Sequence, residues 1–164
     1  MSRLNKIQIA FLALVVIAAG CTTVKEQVVT GYNYETECLG VGLDGNQTIA
    51  ACGTGMDGKE AILQSMKNGI NDLLFKGTRS NNQECNLKPI VPEVNAKIKY
   101  ADYFNKFFMN DGEYKNFIMM KPSSNKLATN ANKSGTPRIL YKTTFHVQRS
   151  ALIRKLIEDK IIHE

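Results

Sequence analysis

The sequence has no tryptophan, and only 2 histidines, 4 cysteines and 4 prolines in 164 residues. Two histidines and scattered cysteines give little material for a metal centre or a hydrolytic site. There is no Cys-x-x-Cys and no histidine pair at helical spacing. No apolar run approaches the roughly 20 residues that a membrane-spanning helix needs. What is there is a globular balance, 43% apolar and 22% charged, which excludes a disordered chain, a collagen-like repeat and a disulfide-packed miniprotein. The net charge is +6.

The amino terminus reads as an address. Met1 to Gln8 carries Arg3 and Lys6 and no acid, and Ile9 to Ala19 is unbroken apolar sequence. That run has the length of a signal-peptide core. It ends Ala18-Ala19-Gly20-Cys21, small residues that lie extended in a peptidase groove, followed at once by a cysteine. This stretch resembles the lipobox of bacterial lipoproteins, with Ala18 in place of the usual Leu. The resemblance covers residues 1–21. It implies cleavage after Gly20, a diacylglyceryl thioether on Cys21 and an acylated new amine. Two or three acyl chains anchor stably where one would not. Thr22 follows where Asp would imply retention in the inner membrane, so the expected location is the outer membrane, facing the periplasm. The expected organisation is a signal peptide over 1–20, a lipidated tether over 21–32 and one α+β domain over 33–164.

Within that domain, Asn33 to Leu43 and Gln47 to Gly55 read as a hairpin. Asp44-Gly45-Asn46 supplies the turn. Gly40, Gly42, Gly53 and Gly55 thin both strands, which predicts bulges or close approach by a packed helix. Asp57 and Glu60 form a capping-box pattern opening a helix to about Phe75, with Gly77 as its C′ residue. Ile62, Met66, Ile70, Leu73 and Leu74 make its apolar face. A second helix is expected over Glu93 to Phe108, with Val94, Ile98, Ala101, Phe104 and Phe108 inward. Phe117 to Lys121 reads as a short strand, 122–137 as a mobile basic loop, Arg138 to Val147 as a strand, and Ala151 to Ile161 as a helix capped by Ser150. The order is ββα-α-ββα. The expected fold is an antiparallel sheet of about four strands with helices on one face. The segment Cys38 to Gly77, a glycine-bearing hairpin followed by a helix, is distantly similar to the domain of certain small Gram-negative surface lipoproteins. It is also similar to the amino-terminal domain of a flagellar-assembly periplasmic protein.

Candidate chemistry is sparse. With a three-residue turn, Cys38 sits opposite Cys52, so a cross-strand disulfide and buried free thiols both fit. Cys85 is the cysteine left over. Glu35 and Glu37 share a strand face, as a hydrolase carboxylate pair or an exposed strand edge would. His146 lies on the polar face of its strand, with no cysteine placed beside it. Glu158 and Asp159 alternate with Arg154, Lys155 and Lys160 as a solvated helix face. No catalytic residue, metal ligand or cofactor is assigned. Lys121, Lys126, Lys133 and Arg138 carry positive charge with no acid between them, which suits contact with an anionic surface as well as a solvated loop. Tyr103 and Phe107, four apart, flank the stripe of the second helix as a docking pair or as core.

The sequence therefore points to a non-catalytic, membrane-anchored envelope lipoprotein that binds an envelope protein or a cell-wall component, and not nucleic acid. A small envelope hydrolase and a periplasmic ligand carrier are the alternatives.

Overall fold

The computed structural model describes residues 35–80, 82–131 and 137–163. The expectations for the signal peptide, Cys21, the tether and Lys133 lie outside the described residues. The described chain is α+β. A four-stranded antiparallel sheet has the spatial order β1-β2-β4-β3, built from β1 (Glu37–Val41), β2 (Gln47–Gly55), β3 (Ile118–Ala131) and β4 (Pro137–Val147). The helices are α1 (Gly58–Phe75), α2 (Ala96–Lys99), α3 (Ala101–Phe107) and α4 (Arg149–Glu158), with 3-10 turns at Gln83–Cys85 and Glu113–Phe117.

The start of α1 follows its sequence signals. The Asp57 carboxylate accepts from the Glu60 amide at 2.8 Å, and Glu60 reaches back to accept from the Met56 amide at 2.7 Å. Gly77 ends the helix with φ +76°, and its amide donates to the Asp72 carbonyl at 2.8 Å. The face carrying Ile70, Leu73 and Leu74 is fully buried against Ile49 and Ala51 of β2 and Phe145 and Val147 of β4. Each such side chain contributes roughly 1.5–3 kcal/mol when taken from water.

Glycine lets the helix come this close. A Cβ on Gly53 would stand 2.5 Å from the Ala61 carbonyl oxygen and 2.7 Å from Ser65 Cα, both main-chain atoms of α1. A Cβ on Gly55 would meet the Ala61 amide nitrogen at 2.5 Å. From the other side, Gly69 makes room for the Phe145 ring and the Ile49 side chain. The close approach expected from the glycine-thinned hairpin is thus found on β2.

The hairpin register differs from the expectation. The turn spans Gly42 to Asn46, closed by the Gly42 amide on the Asn46 carbonyl at 2.8 Å, with Gly45 at φ +77°. A bulge lies between Cys38 and Gly40. The wider turn and the bulge together slide β1 by an odd number of residues, so Cys38 faces Ile49 and not Cys52. Cys38 instead bonds Cys85, with Cα atoms 5.6 Å apart. Cys52 is a buried free thiol on the other sheet face. The Cys38–Cys52 bridge is corrected accordingly. The Cys38–Cys85 bond spans 47 residues, and in the chain-entropy account a loop of that size stabilises by about 4 kcal/mol. Beside it, the Thr78 hydroxyl accepts from Gln47 Nε2 at 3.0 Å and donates to the Cys85 carbonyl at 2.7 Å.

Three further expectations are corrected. Most of the basic loop is strand, because β3 runs from Ile118 to Ala131 and pairs along β4. Its Ser, Thr and Asn content suits an edge strand, and Pro122 falls where the register shifts between Met119 and Ser123. The second helix is two pieces. Asn95 takes the left-handed conformation at φ 65°, delaying the start to Ala96, and Tyr100 interrupts at φ −112°, ψ 34°. Val94 and Ile98 are consequently exposed, while Ile90 and Val91 are buried. At the last helix, α4 begins at Arg149 after Gln148, and no side chain caps it.

The contact at Gly53 is testable by denaturant unfolding. Gly53→Ala should lose about 3 kcal/mol, the upper range for overpacking, because the atoms it meets are main chain. Gly40→Ala, where nothing lies within 4 Å, should stay within about 0.5 kcal/mol of the parent.

Candidate functional site

A groove of about 610 Å³ is formed by α3, the turn after it and the C-terminal end of α4. Its apolar wall comes from α3, where Tyr103 and Phe107 stand one helical turn apart and stack at 6.0 Å between ring centroids. Phe107 also stacks on Phe117 at 6.0 Å and is only 2% exposed. Met109, 54% exposed, lines the rim.

The polar wall is a chain of linked side chains. The Tyr103 hydroxyl donates to Asp159 Oδ2 at 2.6 Å. Lys155 Nζ donates to Asp159 Oδ1 at 2.9 Å and lies 3.4 Å from Glu113 Oε2. Asp159 directly follows α4, where the helix dipole disfavours an anion, and Lys155 one turn earlier supplies the balancing cation. Burial pushes the Tyr103 phenol well above its ordinary range, and the hydrogen bond to the Asp159 anion adds to this. For Asp159, burial raises the pKa, but the hydrogen bonds from Tyr103 and Lys155 outweigh it and the net shift is downward. Lys155 is raised, first by its hydrogen bond to Asp159. The groove can therefore hold a ligand between an aromatic wall and a fixed dipolar wall. Tyr103, Lys155, Asp159 and Glu113 are linked to one another, and Lys106 and Asp111 also line the groove.

The other sequence candidates are dispersed. Tyr103 and Phe107 do come together at the groove, but Phe107 is core and only Tyr103 presents a polar atom. Glu37 is exposed on β1 and pairs with Lys142 at 2.7 Å, crossing β2 between Ala50 and Cys52. Glu35 precedes β1 and is exposed. Burial raises the Cys52 thiol beneath that ion pair, with Lys142 partly offsetting it. Such a thiol is a poor nucleophile. His146 Nδ1 lies 2.8 Å from the Thr48 hydroxyl across the β2–β4 pair. Lys121 and Lys126 fall on β3 and Arg138 on β4. Lys126 is exposed opposite Tyr141, and Arg138 is exposed opposite Asn130. Among the described residues, no group of three His, Cys, Asp or Glu could hold a metal ion, and no helix is long and apolar enough to cross a membrane.

The sequence reading placed Asp159 and Lys155 on a solvated face. Their spacing of four was the available signal, whereas the partnership with Tyr103 is tertiary. No family model, curated protein or solved structure matches the chain.

The linked wall predicts a pH signature. As pH rises past the ordinary Tyr value of 10.0, the unfolded phenol loses its proton while the folded Tyr103 keeps it, so stability falls. Lys155 acts in the same direction just above, as pH climbs through its raised pKa. Asp159 adds stability above the ordinary carboxyl value of 3.8, lost as pH falls through its lowered pKa. Tyr103→Phe should cost about 1.5 kcal/mol near neutral pH, typical of a hydrogen bond to a charged group. In urea melts across pH it should also flatten part of the alkaline decline. A decline identical to the parent's would remove Tyr103 from this role.

Proposed function

We propose that this protein is a bacterial envelope lipoprotein, held at the outer membrane by acyl chains on Cys21 and facing the periplasm. Its folded domain is a non-catalytic binding or assembly component. The observation that carries the reading is the Cys38–Cys85 bond. Disulfides persist in oxidising compartments such as the periplasm, and a chain bearing a secretory leader and a structural disulfide is consistent on both counts. The lipobox-like Ala18-Ala19-Gly20-Cys21 supplies the anchor, and Thr22 supports outer-membrane sorting.

The groove beside Tyr103 supports a binding role. Preformed and part apolar, with fixed polar groups along one side, it suits an envelope protein or a cell-wall component. Anchoring raises the concentration of the domain near such a partner without any new contact.

The anchor is tested by intact mass and membrane fractionation of the full-length protein expressed in a bacterium. The parent should lose residues 1–20, gain the mass of two or three acyl chains and sediment with membranes. Cys21→Ala should carry no acyl mass and leave the outer-membrane fraction. A parent found unacylated in the soluble fraction would overturn the reading.

A further inference from the structure

Among the described residues, seven large apolar side chains are exposed, and four of them belong to one end of the molecule: Leu39, Leu43, Val94 and Ile98. The topology places them there. A short connection at Met56 and Asp57 turns the chain back, so α1 ends beside the start of β2 and hence beside the β1–β2 turn that carries Leu43. The segment after the 3-10 turn is fastened to that same end. The Ile90 and Val91 amides donate to the Leu73 and Leu74 carbonyls at 3.1 and 2.8 Å, and Lys97 Nζ sits 4.7 Å from the centre of the Phe75 ring.

On this segment Val94 and Ile98 are 82% and 76% exposed. They stand on either side of Asn95, whose left-handed backbone opens the short helix α2. Neighbouring apolar side chains held this far into solvent mark a surface that something covers. The charges around them indicate what. Lys88, Lys97 and Lys99 are all exposed, and the one acid within Pro92 to Lys99, Glu93, is paired with Lys99 at 2.7 Å. The knob is apolar at its tip and net positive around it.

We infer that the Val94–Ile98 knob is a membrane-seating face, which inserts its two apolar side chains at the headgroup boundary of an anionic lipid surface while the lysines meet lipid phosphates. An apolar tip with a cationic rim is the arrangement that interfacial binding requires, since the tip leaves water and the rim stays hydrated. Such a small face binds weakly alone. It becomes effective when the chain is already held at the bilayer, so the inference rests on the proposed Cys21 anchor.

The chain has no tryptophan, so one introduced residue reports its own surroundings. Full-length Val94→Trp and Ile98→Trp are reconstituted into vesicles of phosphatidylethanolamine and phosphatidylglycerol, some with acyl chains brominated. Met56→Trp is the control. Met56 is 65% exposed and lies just before α1, the 18 residues of which put it about 27 Å from the knob's end. The expected result is a blue shift and loss of most emission to brominated lipid at positions 94 and 98, with neither at 56. In the Val94→Trp background, Lys88→Glu with Lys97→Glu should restore most of that emission. An acylated, vesicle-bound protein in which all three positions behave alike would overturn the inference and turn the knob toward a protein partner. Intact mass reads the anchor separately. An unacylated chain whose Val94→Trp variant is still quenched by excess anionic vesicles would refute the anchor and keep the face.

Discussion

A contact made without side chains holds this domain together: the main chain of α1 resting on β2 at Gly53 and Gly55. Because those positions carry no Cβ, the helix backbone at Ala61 and Ser65 settles directly onto the strand. That depth brings Ile70, Leu73 and Leu74 within reach of Ile49 and Phe145, and Gly69 makes the matching space on the helix. Had Gly53 and Gly55 carried side chains, the same apolar residues would stand farther apart and much of their packing would be lost, since dispersion falls steeply with a gap. The Asn68 side chain completes the contact by donating to the Cys52 carbonyl at 2.9 Å, beyond Ala50 where β1 pairing ends.

From that contact the rest of the domain is placed by position along α1. Its N-terminal end has a side-chain cap and short connections. Its C-terminal end receives the disulfide-bound 3-10 turn, the segment bearing Val94 and Ile98, and the β1–β2 turn. Four of the seven exposed apolar residues among those described gather where the fold is held by a covalent bond and by main-chain hydrogen bonds to Leu73 and Leu74, so that this end does not need them in the core. The groove lies apart, between α3 and α4. There a phenol, an ammonium and two carboxylates fix one another, giving a rigid polar wall opposite stacked rings.

Local signals in the sequence located α1 within a residue at both ends, because the caps and the apolar period agree. The β2 glycines announced the helix approach for the same reason: the requirement is local and steric. Three features were hidden. Cys85 as the partner of Cys38 depended on a bulge and on the width of a turn, and each changes register by amounts that no composition reveals. β3 was hidden because Pro122 and the Ser, Asn and Lys around it are poor strand signals and the segment lacks apolar alternation. It forms by pairing with β4, whose alternation is strong. The apolar period across Glu93 to Phe108 suggested one amphipathic helix, but Asn95 and Tyr100 break it, and Val94 and Ile98 leave the core. At the groove the aromatic pair was visible as a spacing, whereas Asp159 was not, since nothing local brings it to Tyr103.

Covalent closure and compartment meet in one place. A domain stapled through Cys38 and Cys85, with Cys52 shielded beneath an ion pair, suits the oxidising compartment in which we propose that it resides. Peptide mapping under non-reducing conditions, on protein taken from the bacterial envelope with free thiols alkylated on lysis, tests this most directly. The account predicts a peptide pair linking Cys38 to Cys85, with Cys52 recovered as a thiol alkylated only after unfolding. All three cysteines recovered as thiols, or a linkage between Cys38 and Cys52, would contradict it.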